Sequence, residues 1–383
     1  MHIQRRFTIL VAVIVALILL GLFVVRSTAF TCWDFRNNLW GPSFLLTHGH
    51  SPYRVSTLFE LGNAVWMPMV IGLFFPLGFL TLQQASNLWF VFNLVWILLL
   101  VWISSGSRRP SVLLFAVAIL FTFLFPPMVT HLWSGQISVL ITLLFLVIAI
   151  WNDRMSVAHL AALIAVGLSK PQLAVLVLPG FLIYRLRHYG VRSVFQLAAW
   201  LLAWITALTI PLFLAYPNWI PDFIFDLGQN PSWAHPSTLN FLRQAVPNFG
   251  TALWIVLAIV IFALNMWLWI ILPNREAIYW SLALTLLITP YIWTWDFVMI
   301  LPLFISSLFK AQTKLSLGLL LAGYLLCWGL ITDMKTHGQV DGSLFWWVPW
   351  LLIAFIIGSE YLQRALSSAP KKTGLLHEEQ NTS

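Results

Sequence analysis

The sequence predicts an all-α, polytopic membrane protein, and three observations carry the prediction. Hydrophobic residues fill 60% of the 383 positions and charged residues only 8%, a balance that no water-soluble globular domain keeps. Twelve apolar runs follow one another along the chain, separated by turns that hold most of the Lys and Arg residues. The 22 tryptophans suit rings that settle at membrane–water boundaries.

The runs span residues 7–25, 86–103, 111–125, 137–151, 155–168, 173–184, 194–216, 251–272, 277–290, 296–309, 315–332 and 344–358. Residues 65–82 are apolar enough to cross as well, but they carry Pro68 and Pro76, and counting them as a span would reverse every later loop. They are therefore read as a re-entrant or juxtamembrane helical hairpin, tolerated at membrane depth where protein buries its backbone. The expectation is a single membrane domain over 1–358, with about 12 transmembrane helices plus this hairpin, and a disordered cytoplasmic tail over 359–383. Residues 1–25 also admit a signal-peptide reading, but a 19-residue apolar core is long for one, so an uncleaved first span is preferred.

Orientation follows from charge. Under this scheme Arg5, Arg6, Arg108, Arg109, Arg154, Arg185, Arg187, Arg192, Arg275, Lys310, Lys314, Arg364, Lys371 and Lys372 lie inside, while Arg26, Arg36, Arg54, Lys170, Arg243 and Lys335 lie outside. Such an excess of cytoplasmic cations satisfies the positive-inside rule. The net charge of +8 thus records topology, and with no basic patch or aromatic-interleaved RNA motif it points to no nucleic-acid partner. Neither GxxxxGK[ST] nor GxGxxG occurs, and the long loops 26–64 and 217–250 face outward, so any chemistry is expected at the extracytoplasmic face of the cell membrane without direct use of ATP or a nucleotide sugar. Cys32 and Cys327 lack metal-site spacing and read as packing thiols.

Lys170 is the most conspicuous polar residue. It follows Ser169 and precedes Pro171 between two apolar segments too short to cross straight, so its ammonium sits just below the outer surface and requires an anionic partner; a lipid phosphate is the obvious one. Asp34, flanked by Trp33 and Phe35 just beyond the first span, is either a partly desolvated carboxylate suited to general-base work or a helix cap and salt-bridge partner for Arg36. Other outward turns carry His131 and Gln136, Gln172, Asp222, Asp226, His235 and Arg243, and Tyr291, Trp295 and Asp296. Each alone has a plainer reading: Gln136 as a helix-end hydrogen bonder, His131 as a core one, the aromatics as an interfacial belt, Arg243 as a surface charge. Their convergence on one face is the stronger signal. Asp34 and Asp296 could share a divalent cation, but hard metals want more oxygen ligands than the sequence assigns, so no cofactor is expected and a divalent metal is left undecided.

Taken in order, Asp34-Phe35 with Gly49-His50-Ser51-Pro52-Tyr53, Gly135-Gln136, Lys170-Pro171-Gln172 and Thr289-Pro290-Tyr291-Ile292-Trp293-Thr294-Trp295-Asp296 resemble glycosyltransferase family 87. The sequence departs from that pattern at Asn37-Asn38, where aromatics are expected, and at Ser138, where Asn is common. The resemblance implies a GT-C fold. It also implies transfer of a hexose, mannose by analogy, from a polyprenyl-phosphate sugar to a lipid or glycan acceptor hydroxyl, with inversion. Asp34 takes the position of the base, Lys170 and Arg243 would meet the leaving phosphate, and Tyr53, His131, Gln136, Gln172, Tyr291, Trp295 and Asp296 would line the substrate site. The rival is a transporter or flippase; carriers, however, tend to show related halves and midplane ionisable groups, and neither is evident here.

Overall fold

The computed structural model describes residues 12, 15–16, 19–23, 26, 32–60, 62, 64–106, 111–228, 235–336 and 342–368. The predicted first span falls largely outside these residues, as do Arg108, Arg109 and the last part of the tail from 369. Every regular element among the described residues is helical.

A one-turn helix α1, Trp33–Phe35, runs without a break through a π-helical turn, Arg36–Trp40, into α2, Gly41–Thr47. Then come α3 (Pro68–Phe74), α4 (Leu82–Ser104), α5 (Val112–Leu124), α6 (Pro126–Ser134), α7 (Ser138–Trp151) and α8 (Val157–Gly167). The second half holds α9 (Val177–Ala215), α10 (Trp219–Gly228), α11 (Thr238–Ala245), α12 (Gly250–Ile271), α13 (Asn274–Ile288), α14 (Leu301–Lys310), α15 (Lys314–Thr336) and α16 (Val348–Ser368).

Twelve bilayer-length helices are not found among the described residues. Five helices are long and apolar enough to cross a membrane, or six if α5 and α6, bent by 63° at Phe125 before Pro126-Pro127, count as one broken span. The runs predicted at 137–151, 155–168, 277–290 and 296–309 fold as α7, α8, α13 and α14, with 14, 11, 15 and 10 residues. At about 1.5 Å per residue these reach roughly 15 to 23 Å, short of a hydrocarbon core of about 30 Å. Their apolarity serves protein contacts instead: eleven of the fifteen residues of α13 and eight of the ten of α14 are buried. The long helices show the opposite, with only 17% of the most apolar stretches of α9 and α12 buried, and Val256, Ile259 and Val260 about 60% exposed. The short helices α7, α13 and α14 thus lie in the core, while α9 and α12 present an apolar outer wall.

Two further runs, 173–184 and 194–216, join in α9, which Gly190 interrupts at φ 73°, ψ 174°, a conformation open mainly to glycine. Arg185 at this break donates to Asn152 Oδ1 (2.8 Å) and to Ser193 Oγ, tying the break to the α7–α8 turn. The segment read as a hairpin folds as α3 followed by a 3-10 stretch, Phe75–Phe79, too short to cross. Met67 N–H donates to the Ser169 carbonyl (3.2 Å) and Trp40 Nε1 to the Leu80 carbonyl (3.0 Å). Both of its ends are therefore held against the turn that carries Lys170 and the α1–α2 segment.

Candidate active site

Four turns meet at one end of the bundle, and local chemistry explains each. α6 ends at Gly135, whose φ of +70° caps the helix in the left-handed region. A Cβ there would lie 2.3 Å from Cys32 Cβ and 2.8 Å from Phe35 Cβ, so only glycine lets α1 pack directly on this turn. Trp89 reinforces the contact by donating to the Gly135 carbonyl (2.8 Å) while stacking on Phe35 (5.2 Å between centroids). The next residue, Gln136, is thereby placed beside Asp34. α8 ends at Gly167, and the following turn directs Lys170 inward; after α13, Pro290 starts the turn that carries Asp296 into a 3-10 stretch, Thr294–Ile300.

The side chains form one hydrogen-bonded line. Gln136 Nε2 donates to Asp34 Oδ2 (2.5 Å), and Lys170 Nζ donates to Gln136 Oε1 (2.7 Å) and Asp296 Oδ1 (3.0 Å). Ser138 Oγ donates to the same Asp296 oxygen, and the Trp293 N–H to the other (3.1 Å). The Trp66 ring lies 5.9 Å from the Lys170 ammonium. Lys170 and Asp296 are almost wholly buried, at 7% and 1% side-chain exposure. Within the protein the anion that Lys170 meets at this depth is therefore Asp296, a partner the sequence did not point to.

Asp34 is only half-buried, with one close donor, Gln136, and a longer contact from Asn38 Nδ2 (3.4 Å). Burial pushes its carboxyl up to about 6 and Asp296 adds to the rise, while Lys170 and the Gln136 hydrogen bond pull it back. No ion pair joins it to Arg36, whose guanidinium lies over the rings of Trp33 (4.6 Å) and Phe59 (4.2 Å) and bonds Asn37 (3.0 Å). Asp34 also makes no side-chain cap for α1. Both plainer readings of Asp34 thus lose their partners.

Beside this line stands an aromatic panel. His235 packs on Tyr291 (4.2 Å) and Trp293 (4.7 Å), and Trp293 stacks on Trp295 (5.0 Å). Trp295 Nε1 is buried with no hydrogen-bond partner among the described residues. His131 sits beneath, fully buried, with Nε2 on Asn93 Oδ1 (2.9 Å). Gln172 enters through its backbone carbonyl, which accepts from Thr289 Oγ1 (3.2 Å).

Two residues singled out from the sequence lie elsewhere. Tyr53 is buried against Phe223 (4.8 Å) and Trp219 (6.2 Å), where it docks the first outer loop on α10. Arg243 is exposed in the last turn of α11, bonded to Thr251 Oγ1 (3.0 Å). Conversely, Asn38 and Ser138, visible in the sequence only as departures from a pattern, are working members: Asn38 Oδ1 accepts the Val65 N–H (2.8 Å) while its amide faces Asp34. Their signal was being polar at the edge of an apolar run.

The end of the helix bundle thus brings together a half-buried carboxylate of raised pKa, a buried ammonium and half-buried aromatic rings, an arrangement whose chemistry suits proton abstraction. The model of glycosyltransferase family 87 matches residues 65–290, more than half of the chain, and the protein belongs to that family: it is a membrane glycosyltransferase. The matched stretch contains Gln136 and Lys170 and stops short of Asp34 and Asp296 at either side. Comparison with individual curated proteins returns no match.

Proposed function

We propose that the protein transfers a hexose, mannose by the family resemblance, from a polyprenyl-phosphate sugar to a hydroxyl of a lipid or glycan acceptor at the extracytoplasmic face. The observation that carries this reading is Asp34, the one carboxylate of the line that is both accessible and only partly satisfied. The acceptor oxygen bonds to the anomeric carbon from the face opposite the phosphate, and its proton passes to Asp34. The anomeric C–O bond breaks with its electron pair going to the phosphate oxygen, so the configuration inverts.

Lys170 serves two ends in this reading. Its ammonium balances Asp296, and through Gln136 it orients the amide that holds Asp34. In this reading it also meets the developing phosphate charge, where a low-dielectric setting strengthens it. Arg36 is a better-placed second cation than Arg243: it lies two residues from Asp34, half-buried, with no carboxylate partner among the described residues. The free Trp295 N–H and the adjoining rings suit a sugar hydroxyl and a sugar face.

The orientation rests on the charge split and on helix direction. α13 runs from Arg275 toward Asp296, and α14 runs back from it to Lys310, so the basic turns and Asp34 lie at opposite ends. The segment over 65–82, anchored at the Asp34 end by both termini, supports the same orientation. Purified protein in nanodiscs, given a radiolabelled polyprenyl-phosphate hexose and mixed lipid acceptors, is expected to release the lipid phosphate and label an acceptor. Transport of the intact donor without cleavage would sink the reading in favour of a flippase. Single-cysteine labelling from outside at position 51 but not at 188 checks the orientation.

A further inference from the structure

The opposite end of α13 holds a cavity of about 770 Å³ that the transfer reaction does not use. It lies some 22 Å from the Asp34 end, given fifteen helical residues at about 1.5 Å each. Its polar wall combines three cations, Arg275, Lys310 and Arg364, with two carboxylates, Glu276 and Glu360. Lys310 pairs with Glu276 (2.8 Å), and Arg364 leans on Glu360 (3.9 Å). Arg275 has neither an ion pair nor a hydrogen bond among the described residues, and it is half-buried. The Ser306 hydroxyl, 7% exposed, likewise has no partner among them. One unpaired guanidinium and a spare hydroxyl in a recess of this size form a receptor for a single negative charge with several acceptor oxygens.

The rim says where that anion comes from. Trp267 and Ile271 at the end of α12 and Ile357 on α16 line the cavity while remaining 54%, 50% and 51% exposed. These side chains stand on two of the helices long and apolar enough to cross a membrane, so the cavity has an apolar rim on one side and charged residues on the other. Free phosphate has no use for such a rim, whereas a phosphodiester carrying acyl chains meets both surfaces at once.

We propose that this cavity binds the headgroup of an anionic phospholipid, with Arg275 on its phosphodiester and the chains along Trp267, Ile271 and Ile357. The leaflet, cytoplasmic by the charge split, rests on the orientation adopted above; the binding itself does not. The site would seat the helix ends of α12, α13, α14 and α16 on a charged lipid, anchoring the core helices whose other ends carry Asp296.

Full-length protein in detergent is equilibrated with equimolar phosphatidylglycerol and phosphatidylcholine, and the retained lipid is counted by native mass spectrometry. Wild type is expected to keep phosphatidylglycerol preferentially, and Arg275→Gln to lower that occupancy about fivefold, the worth of one cation near a lipid surface. Arg192→Gln, an exposed cation outside the cavity, should stay within about twofold of wild type. Equal retention by Arg275→Gln and wild type, or equal losses in Arg275→Gln and Arg192→Gln, overturns the proposal. Displacement of the lipid by millimolar inorganic phosphate alone would mark a free-phosphate site and overturn it too. Should Arg275→Gln not fold, Lys310→Gln carries the same test from a second, half-buried cation of the same wall. Sugar transfer is not the readout, so a wrong donor assignment leaves the result standing.

Discussion

The two ends of α13 handle charge in opposite ways. At one end Lys170, Asp296, Gln136 and Ser138 satisfy one another so fully that only Asp34 is left with spare acceptor capacity. At the other, Arg275 stands unpaired on the wall of an open cavity between ion pairs that are 39–40% and 25–84% exposed. Burial accounts for the difference: an unpaired charge deep in the bundle is costly, whereas one near the boundary keeps water or a headgroup within reach. The same helices thus hold a closed polar line at one end and an open charged recess at the other.

The largest expected effect comes from removing the spare acceptor. Asp34→Asn keeps the shape and should lower turnover by about 100- to 10,000-fold at saturating donor and acceptor, with donor binding retained. In wild type, kcat/KM should rise with pH through about 6, because the base must be ionised and its carboxyl is pushed up to that value. A turnover within a few-fold of wild type in Asp34→Asn would remove the catalytic assignment.

Breaking the paired line comes next, and its first cost is to stability. Lys170→Ala strands Asp296 and is expected to destabilise by about 3–5 kcal/mol, read as a fall in Tm, with part recovered in Lys170→Ala/Asp296→Asn. Lys170→Arg keeps the charge but not the geometry and should retain part of both stability and donor affinity. An unchanged Tm for Lys170→Ala would show that water reaches the pair and that this end is less closed than the contrast requires.

Gly135→Ala tests the backbone beneath the line. A Cβ 2.3 Å from that of Cys32, at a positive φ, should cost about 1–3 kcal/mol and shift Asp34 away from Gln136, lowering kcat more than it raises KM. A smaller signature separates strain at Asp34 from simple structural support. Because its folded carboxyl is raised from 3.8 to about 6, the folded state binds the proton more tightly than the unfolded chain, and wild-type stability falls as pH rises through that window. Asp34→Asn should therefore match wild type near pH 4 and exceed it in Tm above pH 6; a lower Tm at pH 7 would indicate a supporting role instead. The smallest effect is expected outside both ends: Arg54→Ala, which breaks an exposed pair with Asp222 (3.3 Å), should change stability by no more than about 1 kcal/mol.

Much of the site was legible because polar residues at the edges of apolar runs are conspicuous, and the charge pattern placed them on one side before any contact was known. Asp34, Gln136, Lys170 and Asp296 were all readable in this way, and all four stand in one hydrogen-bonded line. Tyr53 and Arg243 carried the same signal yet serve loop packing and a helix surface, since polarity at a boundary does not say which neighbour will be met.

Composition by itself determined the medium and the helical class, because those follow from transfer energies summed along the chain. Only the tertiary structure decided which apolar helices face lipid and which face protein: the 14-residue run of α7 and the 22-residue run of α12 are equally apolar to the eye, but burial needs neighbours. It also decided that the anion for Lys170 is Asp296, 126 residues away. The sequence states that a buried ammonium must be compensated; which carboxylate reaches it depends on four separate turns being packed to within hydrogen-bond distance, and that is a property of the fold alone.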